Sequence, residues 1–205
     1  MDTLKNTFLT TLLTLALVWS TKAQDGLQQA FNNSYALEYL GEYAKAADAI
    51  KKVYDEKSYE INMRAGWLHY EAGLYIESQG YYKRAIALNP NSVEARLGYV
   101  YPIAALGNMN MVYDQYIKIL EIDPLNTTAN YRLGLAAYEK KDYKNAFTYF
   151  GKVVNIYPFN YDSLIMFAWT NYQLGKTKEA KTLFKKVLLL YPDNLSATEG
   201  LSLIK

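Results

Sequence analysis

Four of the five prolines in this 205-residue chain recur at one constant interval, at Pro90, Pro124, Pro158 and Pro192. Before each of them the same apolar spacing of three, four and three residues returns, and one copy reads Tyr143, Ala146, Phe150 and Val153. Residues with this spacing lie on one face of an α-helix. A repeat of this length predicts short helical units that stack, because one unit alone cannot bury its apolar face.

A turn and a second helical segment precede each of these helices. The turns begin at Gly41, Gly73, Gly107, Lys141 and Gly175. Glycine is typical of a helix C-terminal cap, where the backbone φ angle is positive. The segment before each turn carries a small residue, at Ser34, Gly66, Gly98, Gly134 and Ala168. Since glycine destabilises a helix interior, its recurrence there predicts that another helix packs closely at that point.

The most regular copy reads Arg132-Leu133-Gly134, followed by Tyr138, Tyr143, Ala146, Phe150 and Pro158. This pattern resembles the tetratricopeptide repeat. The resemblance implies an all-α fold, a right-handed superhelical α-solenoid of five helix pairs within one domain over 24–205. The repeats are expected at about 27–58, 59–92, 93–126, 127–160 and 161–194. Ser196-Ala197-Thr198-Glu199 is interpreted as a capping box that opens a C-terminal capping helix within 195–205.

The third copy departs from this pattern. Gly98 and Gly107 are nine residues apart, whereas Gly66 and Gly73 are seven apart. We therefore expect the first helix of this repeat to be two residues longer, with a kink at Pro102, which cannot donate a helical hydrogen bond. The kink is either a tolerated irregularity or part of a shaped ligand pocket.

Residues 1–23 have the layout of a secretory signal peptide. A short start containing Lys5 is followed by an apolar stretch from Phe8 to Trp19 and by the small residues Thr21 and Ala23. The alternative is an uncleaved N-terminal anchor, although the stretch is shorter than the ~20 residues that a membrane-spanning helix needs. We expect cleavage after Ala23 and an exported protein, periplasmic or secreted.

Composition excludes several classes of chemistry. The net charge is only +2, which argues against nucleic-acid binding. Cysteine is absent and His69 is the one histidine, so disulfides, thiolate nucleophiles and clustered metal ligands are not expected. We interpret His69 as a packed, hydrogen-bonded core residue. No catalytic constellation is recognisable, and the prediction is a non-enzymatic protein without a metal or cofactor.

Aromatic residues dominate the surface that the family uses for binding. The resemblance implies that the first helices of successive repeats line a concave surface. The positions carried over are Phe31, Tyr35, Tyr39, Trp67, Tyr70, Tyr99, Tyr131, Tyr138, Trp169 and Tyr172. Such side chains offer large, stiff contact areas with a polar tip, so they are candidate partner-binding residues. The alternative for some of them is packing against neighbouring helices.

A row of arginines accompanies them. Arg64, Arg96 and Arg132 each stand two residues before a glycine of the repeat pattern. A guanidinium group is a forked donor for carboxylates, so the row is compatible with an anionic ligand. The alternative is that each arginine pairs with a glutamate of its own array, such as Glu60, Glu71 or Glu94.

The favoured function is an adaptor or scaffold that holds a segment of a partner protein, itself of the cell envelope, in an aromatic groove. Two alternatives stay open. One is a carbohydrate-binding accessory protein of the envelope, because sugar rings stack on exposed aromatic faces. The other is a self-assembling scaffold whose groove is filled by a second copy of the chain, which would make it a homo-oligomer.

The signal segment gives the first testable prediction. The mature protein should begin at Gln24, because signal peptidase cleaves after small residues such as those at Thr21 and Ala23. N-terminal sequencing of the protein purified from its native cells checks this expectation. An intact Met1 in the membrane fraction would contradict cleavage and favour the anchor.

Overall fold

The computed structural model describes residues 25–204, which form eleven α-helices and contain no strand. The predicted signal segment 1–23 lies outside the described residues. The helices are α1 (25–39), α2 (Tyr43–Lys51), α3 (Tyr59–Glu71), α4 (Tyr75–Leu88), α5 (Val93–Ala105), α6 (Met109–Ile122), α7 (Thr127–Glu139), α8 (Tyr143–Ile156), α9 (Tyr161–Gln173), α10 (Thr177–Leu190) and α11 (Leu195–Ser202). The prediction of an all-α fold is confirmed. No helix within 25–204 combines the length and apolar character needed to cross a membrane.

The chain divides into two compact units, with the boundary between Asn108 and Met109. The first unit contains α1 to α5 and the second contains α6 to α11. The boundary therefore falls between the two helices of the predicted third repeat.

The turns between paired helices have the predicted backbone. The φ angles are 73° at Gly41, 77° at Gly73, 76° at Gly107, 59° at Lys141 and 73° at Gly175. At the second turn the Leu74 N–H donates to the His69 carbonyl at 2.8 Å, the bond that closes a helix whose following residue is left-handed. Lys141 is the one residue among these turns that adopts this conformation with a Cβ atom.

A polar side chain caps the start of each first helix from α3 onward and of α11. These N-cap residues recur at the same interval as the prolines, at Ser58, Ser92, Asn126, Asn160 and Asn194, and each accepts a hydrogen bond from the N–H three residues on. Such a cap stabilises a helix by about 1 kcal/mol. The predicted capping box at Ser196 is wrong, because α11 begins at Leu195 and Asn194 caps it.

The prediction that the first helix of the third repeat is two residues longer is also wrong. The helix α5 has 13 residues, as α3, α7 and α9 do, and it continues through Pro102 to Ala105. Its ends are set by the Ser92 cap and the left-handed Gly107, both of which keep the repeat interval. Val100 therefore occupies the position of Gly66, and Gly98 lies two residues out of register.

Gly98 has a separate packing role in the first unit. The helix α4 packs on both α3 and α5, and its Tyr82 is buried between glycines of the two neighbours. A Cβ atom added to Gly98 would overlap Cε1 of the Tyr82 ring, and one added to Gly66 would lie 3.0 Å from Tyr82 Cδ2. The ring enters because neither glycine has a side chain.

The second unit uses the same device at its C-terminal end. Phe184 of α10 is fully buried, and a Cβ atom added to Gly200 would overlap its ring. Ala197 and Ile204 join Phe184 and Val187 in one apolar core, so α11 covers the end of the last pair as predicted.

The strained turn at Lys141 provides a stability test. Lys141→Gly should raise the free energy of unfolding by about 0.5–1 kcal/mol, since glycine adopts positive φ without a Cβ clash. Lys140→Gly is the matched control, because Lys140 has an ordinary φ of −77° and glycine there should not stabilise. Urea denaturation measures both variants. A Lys141→Gly variant less stable than the wild type would contradict the left-handed turn.

Candidate functional site

An open groove of about 820 Å³ lies on the first unit. Its walls come from α1, α3 and α5, the first helices of three successive pairs, and Tyr82 of α4 also lines it. The aromatic lining consists of Phe31, Tyr35, Tyr59, Trp67, Tyr82 and Tyr101. The structure thus brings together four predicted site residues in one place, namely Phe31, Tyr35, Arg64 and Trp67.

The helix register explains why these side chains share the groove. Tyr35, Trp67 and Tyr101 each stand six residues before the left-handed residue of their turn. Equal spacing from this fixed point places them on the same face of α1, α3 and α5. Tyr101 was missed by the sequence analysis, although it follows Trp67 by the same interval that separates the prolines.

Trp67 and Tyr101 belong to an aromatic cluster. The Trp67 and Tyr101 ring centroids are 6.1 Å apart, and Tyr70 lies 5.8 Å from Trp67 and 5.4 Å from Tyr101. Tyr75 of α4 continues the cluster at 5.8 Å from Tyr70. Tyr70 therefore supports the groove wall from behind, and burial raises its pKa above the ordinary value.

A polar network holds α1 against α3 beneath the groove. Glu38 of α1 forms an ion pair with Arg64 and accepts a hydrogen bond from Trp67 Nε1, both at 2.5 Å. Arg64 Nε donates to Ser34 Oγ at 2.9 Å, and the guanidinium group lies 3.8 Å from the centroid of the Tyr35 ring. Charge-assisted bonds of this kind fix the orientation of the Trp67 indole.

This network accounts for Arg64. The side chain is only 7% exposed, and Glu38 neutralises its charge. Its Nη2 atom is buried and finds no hydrogen-bond partner within residues 25–204. Of the two interpretations of the arginine row, pairing with a glutamate of the array describes Arg64, although the partner is Glu38 and not one of the glutamates considered from the sequence.

Arg96 lies outside the groove because α5 keeps the common register. It occupies the position of Asn62 and Asn130, four residues after the N-cap. Asn62 Nδ2 donates to the Glu56 carbonyl at 2.9 Å, and Asn130 Nδ2 to the Pro124 carbonyl at 3.1 Å. Arg96 Nη2 makes the corresponding bond to the Pro90 carbonyl at 2.8 Å. Arg96 therefore does not share the repeat position of Arg64 and Arg132, and the expected row of three arginines is not formed.

Tyr99 and Tyr39 are also placed differently from the expectation. Tyr99 is buried, and its hydroxyl donates to Gln79 Oε1 of α4 at 3.4 Å. The same two-residue offset that moves Arg96 explains this placement. Tyr39 is almost fully exposed near the end of α1 and does not line the groove.

In the second unit, Tyr131 and Arg132 line a smaller cleft of about 400 Å³ together with Asp162. Burial, with the Asp162 carboxylate, raises the pKa of Tyr131. The Tyr131 ring is half-buried and lies 6.0 Å from the Phe150 ring, whereas Arg132 is exposed. Tyr138 packs against Tyr143 at 5.3 Å.

Trp169 and Tyr172 pack at the C-terminal end of the second unit. Trp169 lies 5.0 Å from Phe184 and 5.7 Å from Tyr172, and its Nε1 donates to Ser196 Oγ of α11 at 2.8 Å. The indole therefore joins α9 to the capping helix. Its role matches the alternative of packing against neighbouring helices.

The remaining polar candidates have structural roles. His69 Nδ1 lies 2.8 Å from the Ala65 carbonyl, and its ring packs 4.7 Å from Tyr81, which confirms the interpretation as a packed, hydrogen-bonded residue. Within residues 25–204 no group of three or more potential metal-ligating side chains is close enough to hold an ion.

Two tetratricopeptide repeat models match the sequence, one over residues 31–92 and the other over residues 128–160 and 162–194. The matched segments together cover more than half of the chain. The chain is a tetratricopeptide repeat protein. Proteins of this family are typically interaction modules, so the repeats indicate a protein-interaction scaffold.

Solved structures place this tetratricopeptide repeat protein in the same fold class. A tetratricopeptide repeat protein from Parabacteroides merdae ATCC 43184 has a TM-score of 0.71 at 17% identity, over 87% of this chain and 72% of the other. A MamA protein has a TM-score of 0.67 at 20% identity, over 80% of this chain and 91% of the other. MamA from Desulfovibrio magneticus RS-1 has a TM-score of 0.66 at 18% identity, over 83% of this chain and 98% of the other. These similarities confirm an all-α solenoid of helix pairs. No curated protein matches the sequence significantly.

The position of Arg96 leads to a stability prediction. Arg96→Ala should lower the free energy of unfolding by about 1 kcal/mol, because the Pro90 carbonyl loses its donor. Arg96→Asn should retain most of the stability, since Asn62 makes the same bond in the preceding repeat. Arg132→Ala is the control, an exposed site where the change should stay within about 0.5 kcal/mol. Thermal and urea denaturation measure all three, and an Arg96→Ala variant as stable as the wild type would contradict this role.

Proposed function

We propose that this protein is an exported, non-enzymatic adaptor that holds a segment of a partner protein in the groove of the first unit. The family supports protein binding in general, and the signal-like segment at 1–23 supports export. We take the partner to be another protein of the cell envelope, met in the periplasm or outside the cell.

The observation that carries the proposal is the aromatic row on α1, α3 and α5. Tyr35 is 56% exposed, Tyr101 is 50% exposed, and Trp67 between them is half-buried. Aromatic side chains that remain accessible beside a buried polar network are typical of interface anchors, because they bury much apolar area at little entropic cost. The groove volume of about 820 Å³ is comparable with that of pockets for small ligands, so the groove has room for side chains of a partner segment.

Rigidity of the groove also supports binding of an extended segment. The Glu38 carboxylate orients the Trp67 indole, and Tyr82 fixes the distance between α3 and α5 through the glycine contacts. A wall that is already ordered loses little further side-chain entropy when a ligand binds. We therefore place the binding energy of the adaptor at these three helices.

A matched pair of tyrosine variants tests the proposal. Tyr101→Ala removes a groove residue, and Tyr191→Ala removes a tyrosine of the second unit that is 51% exposed and also contacts another ring. Tagged protein is purified from native cell envelopes with each variant in turn. We expect the wild type to recover one stoichiometric partner. Tyr101→Ala should lower the affinity for this partner at least about tenfold, or about 1.4 kcal/mol, whereas Tyr191→Ala should bind it as the wild type does.

Other outcomes would contradict the adaptor. Oligosaccharides that quench the fluorescence of the wild type, but not of Tyr101→Ala, would identify a carbohydrate-binding accessory protein. Pure protein that sediments as an oligomer and dissociates in Tyr101→Ala would identify a self-assembling scaffold. Equal recovery of the partner by both variants would place its binding site outside the groove.

A further inference from the structure

We propose that the groove of the first unit selects a segment that carries a Lys or Arg side chain, which Glu60 and Glu94 recognise. This inference rests on the proposed function, because it assigns the charge of the segment that the adaptor holds. The charge is opposite to that of the anionic ligand, which was one of the two interpretations of the arginine row.

The balance of charge in the groove is the first argument. Among the described residues that line it, those with a charged side chain at neutral pH are Glu60, Glu94 and Arg64. The Arg64 guanidinium is buried, and Glu38 neutralises it. Glu60 and Glu94 are both exposed, so their carboxylates set the net charge that an incoming segment meets.

The second argument is where these carboxylates lie. Glu60 is in the first turn of α3 and Glu94 is in the first turn of α5. The Tyr59 hydroxyl and Ser92 Oγ are 2.7 Å apart, which ties the starts of the two helices together. The two acids are therefore held at one end of the groove. The partial positive charge at each helix N-terminus, about half an elementary charge, offsets only part of each carboxylate.

The third argument is the aromatic surface next to the acids. Tyr59, Trp67 and Tyr101 line the same groove, and their ring faces attract a cation as well as apolar atoms. A Lys or Arg side chain has an aliphatic stem and a charged end, so it can pack its stem on the rings while its charge meets a carboxylate. An acidic segment would meet two like charges at this end.

A structural explanation of the two acids provides the control. A carboxylate in the first turn stabilises a helix through its dipole, whether or not a ligand binds. Glu77 also lies in the first turn of its helix, α4, three residues after the N-cap where Glu60 and Glu94 are two residues after theirs, and it is exposed and does not line the groove. Glu77→Gln therefore removes the same helix-dipole interaction in the same unit without changing the groove.

The experiment selects short random peptides displayed on phage against the purified protein. Selected peptides are then synthesised with a fluorescent label, and their binding is measured by polarisation at low and at high NaCl. The protein variants are Glu60→Gln with Glu94→Gln, the Glu77→Gln control, and Tyr101→Ala. Circular dichroism checks that each variant is folded. Peptides in which Lys or Arg is replaced by Gln test the same contact on the wild-type protein, independently of variant folding.

We expect Lys and Arg to be enriched in the selected peptides. The double variant should bind them about three- to tenfold more weakly at low salt, as expected for two exposed ion pairs. Glu77→Gln should bind them as the wild type does. High NaCl should remove the difference between the wild type and the double variant, because salt screens exposed charges.

Two results would overturn the inference, and they differ in what they leave standing. Peptides that need Tyr101 but show no basic enrichment, or bind the double variant equally well, would refute charge selection and leave the adaptor groove intact. Selected peptides that are all indifferent to Tyr101→Ala would refute the groove, and with it both proposals.

Discussion

The register of the helix pairs depends on two local backbone constraints. A Ser or Asn side chain caps the start of the first helices from α3 onward, and a left-handed residue follows the end of each. Together they fix the length of these helices at 13 residues, even where a proline lies inside one. Because the length is fixed, a given position always lies on the same face. Both constraints set the register of Trp67 and Tyr101, and the left-handed Gly41 alone sets that of Tyr35 in α1.

The same constraint explains which sequence predictions held. The proline interval and the turn glycines follow the register directly, so the all-α solenoid of helix pairs was predictable. Tyr101 was equally predictable by counting one repeat on from Trp67. Gly98 was wrongly taken as the small residue of the common repeat position. Its small size instead makes room for the Tyr82 ring. Tyr99 and Arg96 were misplaced for that single reason.

Other features could not be read from one sequence. The partner of Arg64 is Glu38 of the preceding repeat, a contact between side chains on two different helices that are not adjacent in the sequence. Helix spacing gives the face on which each side chain lies, but not which of several glutamates comes within bonding distance. Trp67 and Trp169 likewise have different roles. Trp67 lines a groove, whereas Trp169 donates a hydrogen bond to Ser196 of the capping helix, and this difference depends on what packs beyond each repeat.

Site-specific photocrosslinking tests the central claim most directly, namely that the groove of α1, α3 and α5 holds the partner. A benzophenone amino acid is placed at Tyr101, or at Tyr191 as the control, and native cells are irradiated. The account predicts one crosslinked partner band at Tyr101 and none at Tyr191. A partner that crosslinks from Tyr191 and not from Tyr101 would contradict it.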